Sequence, residues 1–145
     1  MQRERDLVQR LASKADRVEA IRALAGGVGA TELRRATLSG RAFDALCEGL
    51  GDPNPQVRWW CIQVLDHVSD ERALPAIAAT LDDPVPRVRR NAVHALGCTA
   101  CKPTWCGQLP TVTRQRIADM AHQDPNAKVR AEAVRVLAAA AQMTA

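Results

Sequence analysis

The heptapeptide Asp-Pro-x-x-x-Val-Arg occurs three times in this chain, from Asp52 to Arg58, Asp83 to Arg89 and Asp124 to Arg130. Self-similarity at a period of roughly 20–50 residues marks a protein built from repeated supersecondary units. The first two copies start 31 residues apart and the next two 41 apart. The extra ten residues match in length the segment Cys98 to Gly107, which holds three of the five cysteines. The repeat therefore sets the architecture, and the insertion is the natural place for local chemistry.

Each copy opens a stretch with the same apolar spacing of i, i+4, i+7 and i+8. The positions are Val57, Cys61, Val64 and Leu65, then Val88, Ala92, Ala95 and Leu96, then Val129, Ala133, Val136 and Leu137. That spacing draws one stripe along an amphipathic helix. A second helix is expected before each of the first two turns, where Phe43, Leu46 and Leu50 correspond to Leu74, Ile77 and Leu81. Ser39 and Asp70 suit the caps at their starts. The Asp-Pro pair marks the turn, since proline suits only the first position of a helix. Before the third turn Ile117 and Met120 fall out of that register, as though the insertion disturbs the helix. Upstream, Leu7, Leu11, Val18, Ile21 and Leu24 predict one or two helices ending at Gly26-Gly27, and Thr31 to Ala36 could add a short one. The C-terminal Ala138 to Ala145 is weakly patterned, and no strand signal occurs.

This pattern resembles the HEAT family, in particular the bacterial HEAT-like repeats of phycobilisome-lyase relatives. The resemblance spans about Ser39 to Ala141 and implies an all-α fold, an α-α superhelix forming a short solenoid of stacked antiparallel helix pairs. Residues 39–145 would be HEAT-like repeats with a Cys-rich insertion at about 98–107, and residues 1–38 an N-terminal helical cap or degenerate repeat. The resemblance also implies a ladder between neighbouring units, built by Asp52, Asp83 and Asp124 with Arg58, Arg89 and Arg130. A phosphate-binding role is the alternative for those arginines.

In such repeats the second helices line the binding face. At 100° per residue Trp59 points away from its stripe, with Arg90 and Ala131 at the equivalent positions, while Trp60 sits at the stripe edge. Gln63, His94 and Arg135 form the next row. Tryptophan and arginine dominate binding hot spots, so Trp59, Gln63, Arg87, Arg90 and Arg135 are candidate partner contacts. Trp59 could equally cover the adjacent cap.

The net charge is +4, and no acidic residue occurs between Pro84 and Ala118. A one-signed surface of this kind attracts nucleic acid or an acidic protein. Within it lies His94-x3-Cys98-x2-Cys101-x4-Cys106. His94 and Cys98 share a helix face one turn apart, and Gly97 with Lys102-Pro103 predicts the helix end near Cys98. Three thiolates and an imidazole suit a tetrahedral structural zinc. Inert thiols are the competing reading, with His122 another source of the fourth ligand. A redox pair or an iron–sulfur cluster fits less well, because the C-x2-C trails a helix C-terminus, where the dipole disfavours a thiolate. Cys47 and Cys61 have the pattern of small buried hydrophobes.

The charged N-terminus lacks the apolar core of a secretory signal. No stretch approaches the roughly 20 apolar residues of a membrane span, so a cytoplasmic protein without membrane contact is expected. Gly26-Gly27-x-Gly29 lacks the strand and helix of a phosphate loop, and no catalytic constellation can be assembled. The expected function is a non-catalytic scaffold or adaptor for a protein partner, acidic if the basic segment is the contact. A nucleic-acid-binding protein is the first alternative, by analogy with HEAT-like DNA glycosylases. A lyase-type or redox accessory protein is the second.

Overall fold

The computed structural model describes residues 6, 9–11, 13, 15–26, 40–68, 70–97 and 109–144, and every regular element among them is helical. They divide into two compact units, Met1–Ala73 and Leu74–Ala145. The expected boundary at 38/39, the cap Ser39 and the helix at Thr31 to Ala36 lie outside the described residues.

The first unit contains α1 (Arg17–Ala25), α2 (Gly40–Gly49) and α3 (Pro55–Val68). Its core is Leu11, Ala20, Ile21 and Leu24 with Ala42, Ala45, Leu46, Val57, Cys61, Ile62, Val64 and Leu65. Val18, expected in the stripe of α1, is instead 46% exposed. Ala20 supplies the third buried position beside Ile21 and Leu24, so the stripe runs one helical face away from Val18. Gly49 lets α2 approach α3 closely, since a Cβ there would strike the Cys61 thiol. Burial pushes that thiol's pKa up to about 12. Arg72 forks onto Asp70 and lies 4.4 Å over the Phe43 ring, leaving Phe43 half-buried. Those hydrogen bonds hold the Asp70 carboxyl below its usual range, while its Oδ1 also accepts the Arg72 amide.

The second unit contains α4 (Leu74–Ala79), α5 (Pro86–Gly97), α6 (Thr111–Gln123) and α7 (Ala127–Thr144). Short 3-10 turns precede α4 at Glu71–Ala73 and follow it at Thr80–Asp82. Pro75 is tolerated because it stands in the first turn of the α segment, where its missing N–H would have had no helical partner. Ile77, Leu81, Val88, Ala92, Val93, Ala95, Leu96, Ile117, Met120, Val129, Ala133 and Val136 are all buried. Leu137 and Leu74 are half-buried.

The helix before the third turn is intact, contrary to the expectation that the insertion disturbs it. α6 runs 13 residues and buries Thr113, Ile117 and Met120. Its different register has a backbone cause. α2 closes with i→i−3 bonds, from Leu50 N–H to the Cys47 carbonyl and from Gly51 N–H to Glu48, and Asp83 N–H bonds Thr80 likewise. α6 stays α-helical to its end, where Asp124 N–H donates to the Met120 carbonyl. A 3-10 turn advances about 120° per residue against about 100° for an α-helix, so three residues rotate the stripe by about 60°. Leu50 and Leu81 thereby face the core, whereas His122 at the same distance from its Asp is exposed.

The turn chemistry repeats three times. The Asp side chain accepts the backbone N–H two residues on: Asp52 from Asn54, Asp83 from Val85, and Asp124 from Asn126. The proline after each Asp stays in the turn, and the prolines that start helices are Pro55 and Pro86 two residues later. Asn54 caps α3 through the Gln56 amide, and Asn126 caps α7 through Lys128 and Val129. Asn126→Ala should therefore cost about 1 kcal/mol, read as a shifted midpoint in urea with an unchanged slope.

Candidate interaction face of the second helices

Three arginines close their own turns alike. Arg58 Nη1 donates to the carbonyls of Asp52 (2.8 Å) and Pro53. Arg89 Nη1 reaches Asp83 (2.8 Å) and Pro84, and Arg130 Nη1 reaches Asp124 (2.7 Å). Arg89 also makes a two-pronged bond to the next turn, with Nε 2.8 Å and Nη2 2.9 Å from the Asp124 carboxylate. This pair is nearly dry, the side chains being 10% and 3% exposed. The Arg89 hydrogen bonds hold the Asp124 carboxyl below the usual carboxylate range.

That lowered pKa fixes a pH dependence. A carboxylate stabilised only in the folded state binds its proton more readily in the unfolded one, so stability rises with pH through the interval between the two pKa values. The contribution is complete above the unfolded value of about 4 and vanishes as pH falls through the folded value. The gap in melting temperature between the native chain and Asp124→Asn should be widest near neutrality and close progressively in acid. A constant gap would mean that Asp124 is not held as a paired carboxylate.

The neighbouring side chains are disposed differently. Arg90 and Arg87 are exposed on α5, Ala131 is exposed on α7, and Trp59 and Trp60 on α3 are both half-buried. Trp59 is thus no freely projecting anchor. Gln63 is half-buried, and its carbonyl lies 2.7 Å from His67 Nδ1.

In the second unit His94 and Arg135 converge on Glu132, a residue the repeat pattern did not single out. His94 Nδ1 is 3.0 Å from Glu132 Oε1, and Arg135 donates to the same oxygen from Nη2 (2.6 Å) and Nε (3.1 Å). Glu132 is 8% exposed. Burial works to raise its carboxyl, yet the hydrogen bonds from Arg135 and His94 outweigh it and hold the pKa below the usual value. Its sequence signal was available. Glu132 occupies the stripe-edge position of Trp60 and Asn91, and an acid there needs a partner across the helix pair.

The basic segment is partly neutralised. Arg89 is taken by Asp124, and Arg116 binds Asp82 at 2.9 and 2.6 Å. Arg87, Arg90 and Arg114 stay exposed. The whole charge excess still lies in this unit, with nine basic and five acidic residues from 74 to 145 and eleven of each before it.

Cys98, Cys101 and Cys106 lie outside the described residues, as does Lys102, so of the expected metal ligands only His94 has a described position. No group of three metal-ligating side chains occurs among the described residues. A histidine that gives one ring nitrogen to a carboxylate is arranged as metal-ligating histidines usually are, and the His94–Glu132 contact has that form when Nδ1 carries the proton, while Arg135 Nη2 lies 3.3 Å from the same nitrogen.

Paired helices joined by recurrent Asp turns define an all-α helical-repeat protein. A family model for HEAT repeats matches residues 4–97 and again 43–138, and the chain belongs to that family. No curated protein matches the sequence significantly. None of the described helices is long and apolar enough to cross a membrane.

Proposed function

We propose that this HEAT-repeat chain is a non-catalytic adaptor that binds an acidic protein surface through the second helices of its pairs. The observation that carries this reading is the contrast between adjacent arginines of α5. Arg89 is buried against Asp124, while Arg90 is exposed in a unit that holds the entire positive excess. Arg87 lies beside Arg90 on α5, Arg135 on α7 is bonded to Glu132, and Trp59 and Gln63 hold the corresponding sequence positions on α3 of the first unit. HEAT repeats generally mediate protein contacts without catalysing reactions, in keeping with this assignment.

The test uses the immobilised chain and its Arg87→Glu/Arg90→Glu variant, matched in melting temperature. An acidic polypeptide should be retained by the native surface at physiological salt and lost from the variant, with no retention of a short labelled DNA duplex. Duplex binding that falls steeply with salt, the signature of counterion release, would overturn the protein-partner reading in favour of nucleic acid.

A structural zinc held by His94, Cys98, Cys101 and Cys106 belongs to the same proposal. Supporting it are the ligand types, their spacing, and the carboxylate behind His94. Zinc would stiffen the insertion without joining any reaction. Elemental analysis should find near-stoichiometric zinc, with the three thiols protected until chelation. Metal-free protein with freely reactive thiols would remove zinc and leave the adaptor reading standing.

A further inference from the structure

α5 and α7 are equivalent helices, related by an offset of 41 residues, and their outer faces have different fates. On α5, Arg89, Val93 and Gly97 are buried: Val93 is 0% exposed, Arg89 binds Asp124, and Gly97 lies against Val136. The counterparts on α7 are Arg130, Val134 and Ala138. Val134 is 54% exposed, Ala138 is exposed and Arg130 is half-exposed.

Arg130 is already set in the posture of Arg89, with Nη1 on its own turn carbonyl. The Nε and Nη2 edge that Arg89 gives to a carboxylate has no such partner on Arg130 among the described residues. The face thus combines an oriented guanidinium fork, an exposed branched apolar side chain and a small residue permitting close helix approach. What covers the equivalent face of α5 is known: a helix pair with an aspartate at its turn.

We propose that the outer face of α7, formed by Arg130, Val134 and Ala138, docks a helix pair of a second protein that presents a carboxylate at its turn. The carboxylate takes the fork of Arg130, as Asp124 takes that of Arg89, and one helix lies over Val134 and Ala138. Symmetric pairing with a second copy through this face would leave the fork of Arg130 without a carboxylate, because the only acidic residue of α7 is Glu132, buried against His94 and Arg135. This surface is distinct from the Arg90 row, so its failure would leave that assignment intact.

The probe is a synthetic peptide of residues 109–144, the chain's own Asp124-turn helix pair, titrated into the full chain. Methyl NMR of Val134 reads the contact. Val134 resonances should shift on titration, with affinity reduced about tenfold by Arg130→Ala or by Asp124→Asn in the peptide, and unchanged by Arg90→Ala. The same segment fused to the C-terminus raises its effective concentration to about millimolar, which covers a peptide unfolded when free. Slowed amide exchange at Val134 in the fusion supports the site, and no slowing there overturns it. Sedimentation of the chain alone as a dimer, with Val134 already protected, would replace the proposed partner by a second copy.

Discussion

Arg89→Ala should cost about 3–5 kcal/mol, the usual effect of removing one member of a buried ion pair. Four bonds disappear together: two to the Asp124 carboxylate and one each to the Asp83 and Pro84 carbonyls. The larger loss is what stays behind, because Asp124 is left 97% enclosed as a charge without its partner (side chain 3% exposed). Arg90→Ala, one residue along the same helix, removes only an exposed side chain and should stay within about 0.5 kcal/mol. Urea denaturation separates the two variants cleanly. Asp124→Asn combined with Arg89→Ala should recover part of the loss, since an amide tolerates isolation better than a carboxylate. Equal destabilisation by Arg89→Ala and Arg90→Ala would contradict this division.

Gly97→Ala should be the most damaging single-methyl change in the second unit. A Cβ at position 97 would lie 2.6 Å from Val136 Cγ2 and 2.8 Å from Val136 Cβ, with Cγ1 closer still. Val136 is 2% exposed and branched at the contacting carbon, so it cannot swing aside as a long flexible chain would. Helices α5 and α7 must separate, at a cost of about 1–3 kcal/mol. The usual gain from replacing a helical glycine, about 1 kcal/mol, works against that cost and makes the sign informative. Val136→Ala should partly rescue Gly97→Ala while being destabilising alone. A strictly additive double mutant would show that the two residues do not touch.

Much of the fold was legible because its determinants are local and recurrent. The three Asp-Pro turns and the i, i+4, i+7 stripes after them each depend on a few neighbouring residues. Phase was less legible. Whether a helix ends in an α or a 3-10 turn decides if Leu81-like or Met120-like positions face inward, and that choice lies in the backbone rather than in residue type. Val18 misled for a related reason, since an isolated apolar residue on α1 does not announce which side packs. Contacts between repeats were hardest. Arg116 with Asp82, Glu132 with His94, and Gly97 with Val136 join residues 34 to 39 positions apart. Nothing in a spacing rule identifies such pairs. Nor does periodicity reveal that Trp59 is half-covered while Arg90, its counterpart, is exposed.

The central claim is that adjacent arginines on α5 have separate duties, Arg89 holding repeats together and Arg90 meeting a partner. It is tested most directly by measuring melting temperature and partner retention side by side for Arg89→Ala and Arg90→Glu. The account predicts that Arg89→Ala melts several degrees lower, whereas Arg90→Glu melts with the native chain and loses the retained acidic polypeptide. Full retention by Arg90→Glu at an unchanged melting temperature would contradict it.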